Sequence, residues 1–377
     1  MKKIKYISRL TDIPQLSYKE VRRLESVVDF FPFLSNTYYL GLINWRDRND
    51  PIRRLVIPST EELDDSDWGM ADPSREGDYT VASGLQHKYN DTALMLVSGL
   101  CGSLCRYCFR KRLFMEDKER EVLVGYDPAI DYIRDHKEIN NVLLTGGDPL
   151  RMKTSKLRGI VSQLRRIKHV GVIRIGSKMV AYNPFRITED PELPALIEEF
   201  STPDRRMYFM LHFSHPNEIT PQAVKAVNTL LKSGAVLCNQ TPMIHGINDN
   251  PAVLAELFNR LSSIGVAPYY VFITRPAVGN KPYAVPITRA YEIFQDARRN
   301  LSGVAKRAAL VMSHSSGKIE VCGMDNDSIY LRYHRAADSS ETGNMMVARR
   351  DEYAYWFDDL KLNNAPVLPN WLPWLRR

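Results

Sequence analysis

Between residues 92 and 313 the chain alternates between two hydrophobic periods, and this limits its fold more than any other feature. Short β-rich runs, TALMLV, NVLLTGG, GVIRIG, RMYFMLHF, AVLCNQ, APYYVFIT and AALVMS, are mostly separated by amphipathic stretches. In TPQAVKAVNTLLKSG, Thr220 is suited to cap a helix and Pro221 to open it. Val224, Val227, Leu230 and Leu231 make one apolar stripe, and Gly234 ends it. NPAVLAELFNRLSSIG repeats the grammar, with Asn250 as cap, Pro251 next, a stripe at Leu254, Leu257, Leu261 and Ile264, then Gly265. Strand, helix and strand at this spacing predict an α/β fold of parallel strands joined by right-handed crossovers. The pattern alone leaves open whether the sheet forms a closed or partial barrel or a doubly wound open sheet.

The chain divides into three parts: 1–91, 92–318 and 319–377. The first reads as a helical extension, with SYKEVRRLESVVDFF as its clearest helix and STEELDDSDWGMADPSREGDYT as polar loop. The last reads as an irregular extension. It holds a hairpin-like SIYLRYH and a proline-interrupted APVLPNWLPWLRR, whose tryptophans are expected to pack on the body or on another subunit. Apolar residues make up 44% of the chain, enough for a large core. No apolar run approaches the ~20 residues that span a bilayer. The basic start MKKIKYISRLTDIPQ lacks the apolar segment of a secretory signal, so a cytoplasmic protein is expected. The net charge of +7 comes from bases in scattered pairs such as Arg165-Arg166 and Arg205-Arg206. A dedicated nucleic-acid binder concentrates them in a stripe, so none is expected here.

The stretch SGLCGSLCRYCFRKRLF holds Cys101, Cys105 and Cys108, three of the five cysteines. An odd, clustered set does not make a disulfide framework; it points to metal or catalysis. Structural zinc takes four ligands, and Cys238 and Cys322 are distant in sequence. A cubane iron–sulfur cluster on three thiolates leaves one iron without a protein ligand, where chemistry can happen. A zinc-bearing, non-catalytic protein is the competing reading.

CxxxCxxC after a strand, with Tyr107 before the third cysteine, resembles the radical S-adenosylmethionine (radical SAM) signature. LLTGGDPL, RIGSKMVAYNPFRIT, HFSHPNEIT, NQTPMIHGINDNP and GVAPYYVFITRP follow in order. Together, from about residue 85 to 335, they resemble the lysine 2,3-aminomutase family. The resemblance implies a partial parallel (β/α) barrel. It implies a [4Fe-4S] cluster on Cys101, Cys105 and Cys108, whose open iron chelates S-adenosylmethionine. An electron donor such as flavodoxin or ferredoxin would trigger formation of a 5′-deoxyadenosyl radical. Gly146, Gly147 and Asp148 match the loop that meets the methionyl amine. Pyridoxal phosphate (PLP) would be held covalently by Lys318 in SHSSGKIEV. Tyr89 matches an aromatic beside the cofactors, His212 a residue near the nucleoside, and Asn239 and Gln240 a polar pair near PLP and S-adenosylmethionine. Arg110 matches the arginine that pairs with the carboxylate of an amino-acid substrate, whose amino group moves from the α- to the β-carbon.

Several positions depart from the family pattern. Lysine-specific members hold the distant ammonium with two aspartates, where this chain has Arg275 and Val311. A cation there repels an ammonium. Lysine is therefore not the expected substrate, and Arg275 is placed to clamp the second carboxylate of an acidic, glutamate-like amino acid. Family arginines near the PLP phosphate correspond to Lys88 and Thr92, and glycines before the lysine to Ser315 and Ser316. Cysteines of an intersubunit zinc site are missing, with Asn250 at one matching position, although a homo-oligomer is still expected. The alternative within the family is a different radical reaction: epimerisation, dehydrogenation, or modification of a peptide or natural product.

Overall fold

The computed structural model describes residues 4–64, 68–115, 122 and 125–363. The tail APVLPNWLPWLRR lies outside the described residues. Two short strands near the N-terminus, β1 (Tyr6–Ile7) and β2 (Ser35–Asn36), pair antiparallel. All other strands join one sheet. They are β3 (Thr80–Ala82), β4 (Leu85–Tyr89), β5 (Thr92–Ser98), β6 (Asn141–Gly146), β7 (Val172–Ser177) and β8 (Met207–Leu211). Next come β9 (Val236–Pro242), β10 (Ala267–Phe272), β11 (Ala309–His314), β12 (Gly317–Met324), β13 (Ser328–Ala336) and β14 (Met345–Arg349).

Strand order follows chain order from β3 to β14. From β5 to β11 every neighbouring pair is parallel. An unreversed order is how a barrel winds, whereas a doubly wound sheet has a point where the order turns back. Among the described residues β3 and β14 do not pair, so the sheet is a partial barrel. Each β-rich run seen in the sequence forms one of the parallel strands.

The crossover helices start and stop at the expected caps. Thr220 caps the helix Pro221–Lys232 through its side chain to the Ala223 N–H, and Asn250 caps Pro251–Ser263 through the Ala252 N–H. Gly234 and Gly265 end them at positive φ (+87° and +83°), a conformation that costs other residues more. The buried faces lie slightly round from the expected stripes. Ala223, Ala226, Val227 and Leu230 are buried on the first, while Val224 and Leu231 only flank the core.

Both flanking parts add strands to the sheet. β3 and β4 extend one edge antiparallel, inside the part read as helical. On the other edge β12, β13 and β14 form an antiparallel meander, most of it in the part read as irregular. There Ile319 and Val321, then Ile329 and Leu331, alternate inward with strand period. The helix Tyr18–Phe30 forms as read, its start fixed by a capping box between Ser17 and Glu20. It contributes Val21 and Leu24 to a second apolar cluster with Leu55, Tyr107, Tyr182 and Tyr283. The N-terminal part therefore packs on the loop that carries the cysteines. Among the described residues no helix is long and apolar enough to cross a membrane.

Candidate active site

A cavity of about 330 Å³ opens inside the barrel and is lined from every parallel strand or the loop that follows it. Cys101, Cys105 and Cys108 line it on the loop after β5. That loop is held by the N-terminal part. The Leu104 N–H donates to Leu34 O at 2.8 Å and the Arg106 N–H to Leu55 O at 2.9 Å. Asn36 donates its amide to Gly102 O at 3.1 Å. Beneath lies a buried charge knot. Arg106 donates to both oxygens of Glu62, which also receives Lys111 Nζ at 3.4 Å and the Tyr283 hydroxyl at 3.0 Å.

Gly146 and Gly147 meet the start of this loop backbone to backbone. The Gly147 N–H donates to Ser98 O at 2.6 Å and the Asp148 N–H to Leu100 O at 2.7 Å. A Cβ on Gly146 (φ +122°) would lie 2.4 Å from Ser98 O, and one on Gly147 2.5 Å from Leu100 O. Only glycine allows that approach. Asp148 accepts from Ser177 Oγ, the Lys178 N–H and the Leu150 N–H. Burial still pushes its carboxyl up to about 6, against those hydrogen bonds. The Cys108 thiol is drawn down to about 7, first by the Cys105 thiol that bonds to it and then, against burial, by the Arg110 backbone N–H and the Arg110 and Lys111 charges. Among the described residues no three metal-binding groups converge on a single-ion site. In a cubane each cysteine meets a different iron, so such convergence is not required. His212 also lines the cavity, 3.3 Å from the Tyr107 hydroxyl, and burial and then Lys178 hold it well below the ordinary histidine range, hence neutral.

Lys318 lines the same cavity. Its Nζ lies 5.3 Å from the Tyr270 ring centre, 5.4 Å from Tyr89 and 6.0 Å from Phe272. Burial first, then Arg174, Arg335, Arg275 and Lys88, depress its pKa well below the usual lysine value. A lysine amine whose protonation is disfavoured by burial among aromatic rings is the nucleophile that captures a carbonyl group. The residues present therefore fit an aromatic aldehyde cofactor. Lys88, expected near a phosphate, donates its Nζ to His314 O at 2.5 Å instead. Burial and then Arg275 lower its pKa to about 8.

Two guanidiniums share the ring of Phe109. The Cζ of Arg110 lies 4.7 Å from its centre and that of Arg275 3.6 Å. Arg110 is not free. Its Nε and Nη2 donate to Glu76 at 2.7–3.1 Å, and Arg112 reaches the same carboxylate at 2.5 Å. Burial alone would raise Glu76, but these arginines hold it down at about 2. This fixes one edge of the Arg110 fork and leaves the N–H groups of the other. Among the described residues Nη1 meets only Thr145 Oγ1, at 3.4 Å. Arg275 differs: its Nη1 is buried with no hydrogen-bond partner among the described residues.

One expected residue points elsewhere. Gln240 lines the cavity, but Asn239, next to it on β9, faces the opposite way, as alternate strand residues do. Its amide is consumed by the Phe213 backbone and Thr241 Oγ1. Val311 is buried and does not line the cavity; Ser313 does. Sequence reasoning missed Glu76, Phe109, Arg174, Lys178 and Arg335. Arg174 carried a signal, a cation amid the apolar run VIRIG. Glu76 and Arg335 carried none.

The L-lysine 2,3-aminomutase of Clostridium subterminale is 34% identical to this chain over 301 residues, 80% of this chain and 71% of its own. The chain belongs to the lysine 2,3-aminomutase family. A protein of Aquifex aeolicus (strain VF5), provisionally named an L-lysine 2,3-aminomutase, is 51% identical over 359 residues, 95% of each chain. The glutamate 2,3-aminomutase of Clostridioides difficile (strain 630) is 33% identical over 317 residues, 82% of this chain and 73% of its own. No family model matches the chain. Among solved structures, a radical SAM methyltransferase from Sphaerobacter thermophilus overlaps 60% of this chain and 68% of its own, with a TM-score of 0.40 and 17% identity. As a family member the enzyme is a radical SAM aminomutase, an isomerase. Lysine 2,3-aminomutase family members use a [4Fe-4S] cluster, S-adenosylmethionine and PLP.

Proposed function

We propose that this aminomutase is PLP-dependent and moves the amino group of an acidic, glutamate-like amino acid from the α- to the β-carbon. The observation that carries the substrate is Arg275, a cavity-lining guanidinium stacked on Phe109 whose buried Nη1 has no hydrogen-bond partner among the described residues. A buried donor without an acceptor is costly, and a carboxylate is the acceptor that removes the cost. Arg110, on the same ring, offers its remaining edge to the α-carboxylate while Glu76 fixes its orientation. Two guanidiniums so placed match the two carboxylates of one molecule, and neither suits an ammonium.

When bound, the cluster with S-adenosylmethionine supplies a 5′-deoxyadenosyl radical, and PLP supplies a conjugated system that shares the unpaired electron. Cys101, Cys105 and Cys108 would hold the cluster. Gly146 and Gly147 bring the β6 turn, with Asp148, onto the cluster loop. Lys318 holds PLP, and Tyr89, Tyr270 and Phe272 exclude water around its amine. Neutral His212 and Gln240 offer hydrogen bonds within the cavity. The protein is cytoplasmic in this reading, draws its electron from a flavodoxin or ferredoxin, and assembles as a homo-oligomer.

The test is an anoxic assay with dithionite and S-adenosylmethionine over a panel of amino acids, scoring β-amino acid products. Glutamate is expected to turn over and lysine to remain unchanged. In Arg275→Gln, KM for glutamate rises about 10- to 100-fold, the worth of one charge-assisted contact. Turnover of lysine with glutamate untouched would refute the substrate, and products without a shifted amino group would refute the reaction.

A further inference from the structure

We propose that Arg335, with Arg174 beside it, seats the phosphate of PLP, replacing the arginines that Lys88 and Thr92 do not supply. This rests on the PLP reading above.

The register of the antiparallel pair β12 and β13 is the first observation. Lys318 lies opposite Arg335, but Ile319 lies opposite Tyr333. One extra residue, His334, is inserted between them. Were the Ile319–Tyr333 register continued without a shift, His334 would stand opposite Lys318 and Arg335 would be displaced from that position. A bulge of this kind re-aims a side chain, and such bulges recur beside active sites. A protonated lysine directly opposite an arginine would be repelled by it. A bulge that sets an arginine against the cofactor lysine makes sense when an anion lies between them.

The second observation is where the guanidinium ends. The Arg335 Cζ lies 4.3 Å from the centre of the Tyr89 ring, the ring that also borders Lys318. Its Nη2 donates to Thr92 Oγ1 at 3.2 Å and pairs with Asp91. Arg335 therefore brings a guanidinium to the hydroxyl that stands where the family resemblance implies an arginine. Asp91 is half exposed and occupies one side of the fork, leaving other N–H groups free to bond.

Arg174 completes the seat from β7. It lines the cavity, and its Nε is fixed by Asn141 Oδ1 at 2.8 Å. No salt bridge of Arg174 is found among the described residues. Lys88, at the other matching position, spends its Nζ on His314 O. A phosphate dianion bound by planar forks suits guanidiniums better than an ammonium.

The test compares PLP with pyridoxal, which lacks the phosphate, on the full cofactor-free chain. The readout is the visible absorption band of the cofactor joined to lysine. Wild type is expected to bind PLP far more tightly than pyridoxal. Arg335→Gln should weaken PLP about 10- to 100-fold, as loss of a charge-assisted contact does, and leave pyridoxal unchanged. Arg335→Lys should recover part of the loss, and Arg174→Gln should also lower PLP selectively. If Arg335→Gln weakens both ligands equally, Arg335 is structural, and if it weakens neither it is not the seat; either result overturns the inference while PLP binding stands. If wild type captures neither compound, the PLP reading itself falls and takes the seat with it.

Discussion

Lys318 shows how far one residue can be read from its neighbours in sequence. SHSSGKIEV marked it as the cofactor lysine by resemblance, but only the fold explains why its amine would be reactive. Aromatic rings from β4 and β10 wall it in, and burial, then cations on β7, on β13 and after β10, disfavour its protonation. That arrangement has a price in stability. Between its depressed folded value and the ordinary 10.5, the unfolded chain binds a proton that the folded chain does not. Stability therefore falls as pH drops below 10.5 and levels off only below the folded value. Lys318→Met should raise Tm of the cofactor-free protein at pH 7, and the gain should shrink towards zero as pH approaches 10.5. Calorimetric scans of both proteins across that range test this; a gain independent of pH would mean that packing, not charge, was relieved. The three cysteines were legible because their chemistry is local, within eight positions. Glu76 and Arg335 were not, because each acts on a partner distant in sequence, and in the second case through a one-residue bulge.

At the scale of elements, the parallel strands and their crossover helices were legible because each repeats a short period between clear stops. β12 to β14 were less so. Their alternating apolar residues are few, and half-buried polar and charged residues stand between them. The cysteine loop was legible as a ligand set but not as a structure, because its supports come from the N-terminal part. Glu62 is the centre of that support. It sits 2.7 Å from Arg106 with both side chains at most 2% exposed, and Lys111 joins them. Removing one partner of such a knot leaves buried charge uncompensated, at about 3–5 kcal/mol. Glu62→Ala should lower stability by that order and loosen the cysteine loop, so that iron is lost from anoxically purified protein. Iron content and the denaturation midpoint measure the two effects. Replacing Glu62, Arg106 and Lys111 together by apolar residues of similar size should restore much of the stability, since no orphan charge remains. If the single variant keeps both its iron and its midpoint, the N-terminal part is not what holds the loop.

For the whole molecule the decisive fact is where the sheet gathers its charge. The surplus of bases over acids, +7 in all, looked like solvated surface when read along the chain. The barrel instead brings Lys88 from β4, Arg174 from β7, Arg275 after β10, Lys318 from β12 and Arg335 from β13 to one cavity. These residues span almost 250 positions, so no local pattern could have announced the cluster. Their mutual repulsion opposes folding until an anion enters, and any anion that binds only the folded cavity stabilises the protein by RT ln(1 + [L]/Kd), about 2.7 kcal/mol at a hundred times Kd. Inorganic phosphate should therefore raise Tm of the cofactor-free protein along a saturating curve at constant ionic strength. Chloride should not, because a surface excess responds to screening alone and treats the two salts alike. PLP should saturate the same stabilisation at far lower concentration and abolish the response to phosphate. Equal, unsaturable effects of phosphate and chloride would place the charge back on the surface and deprive the cavity of its anion.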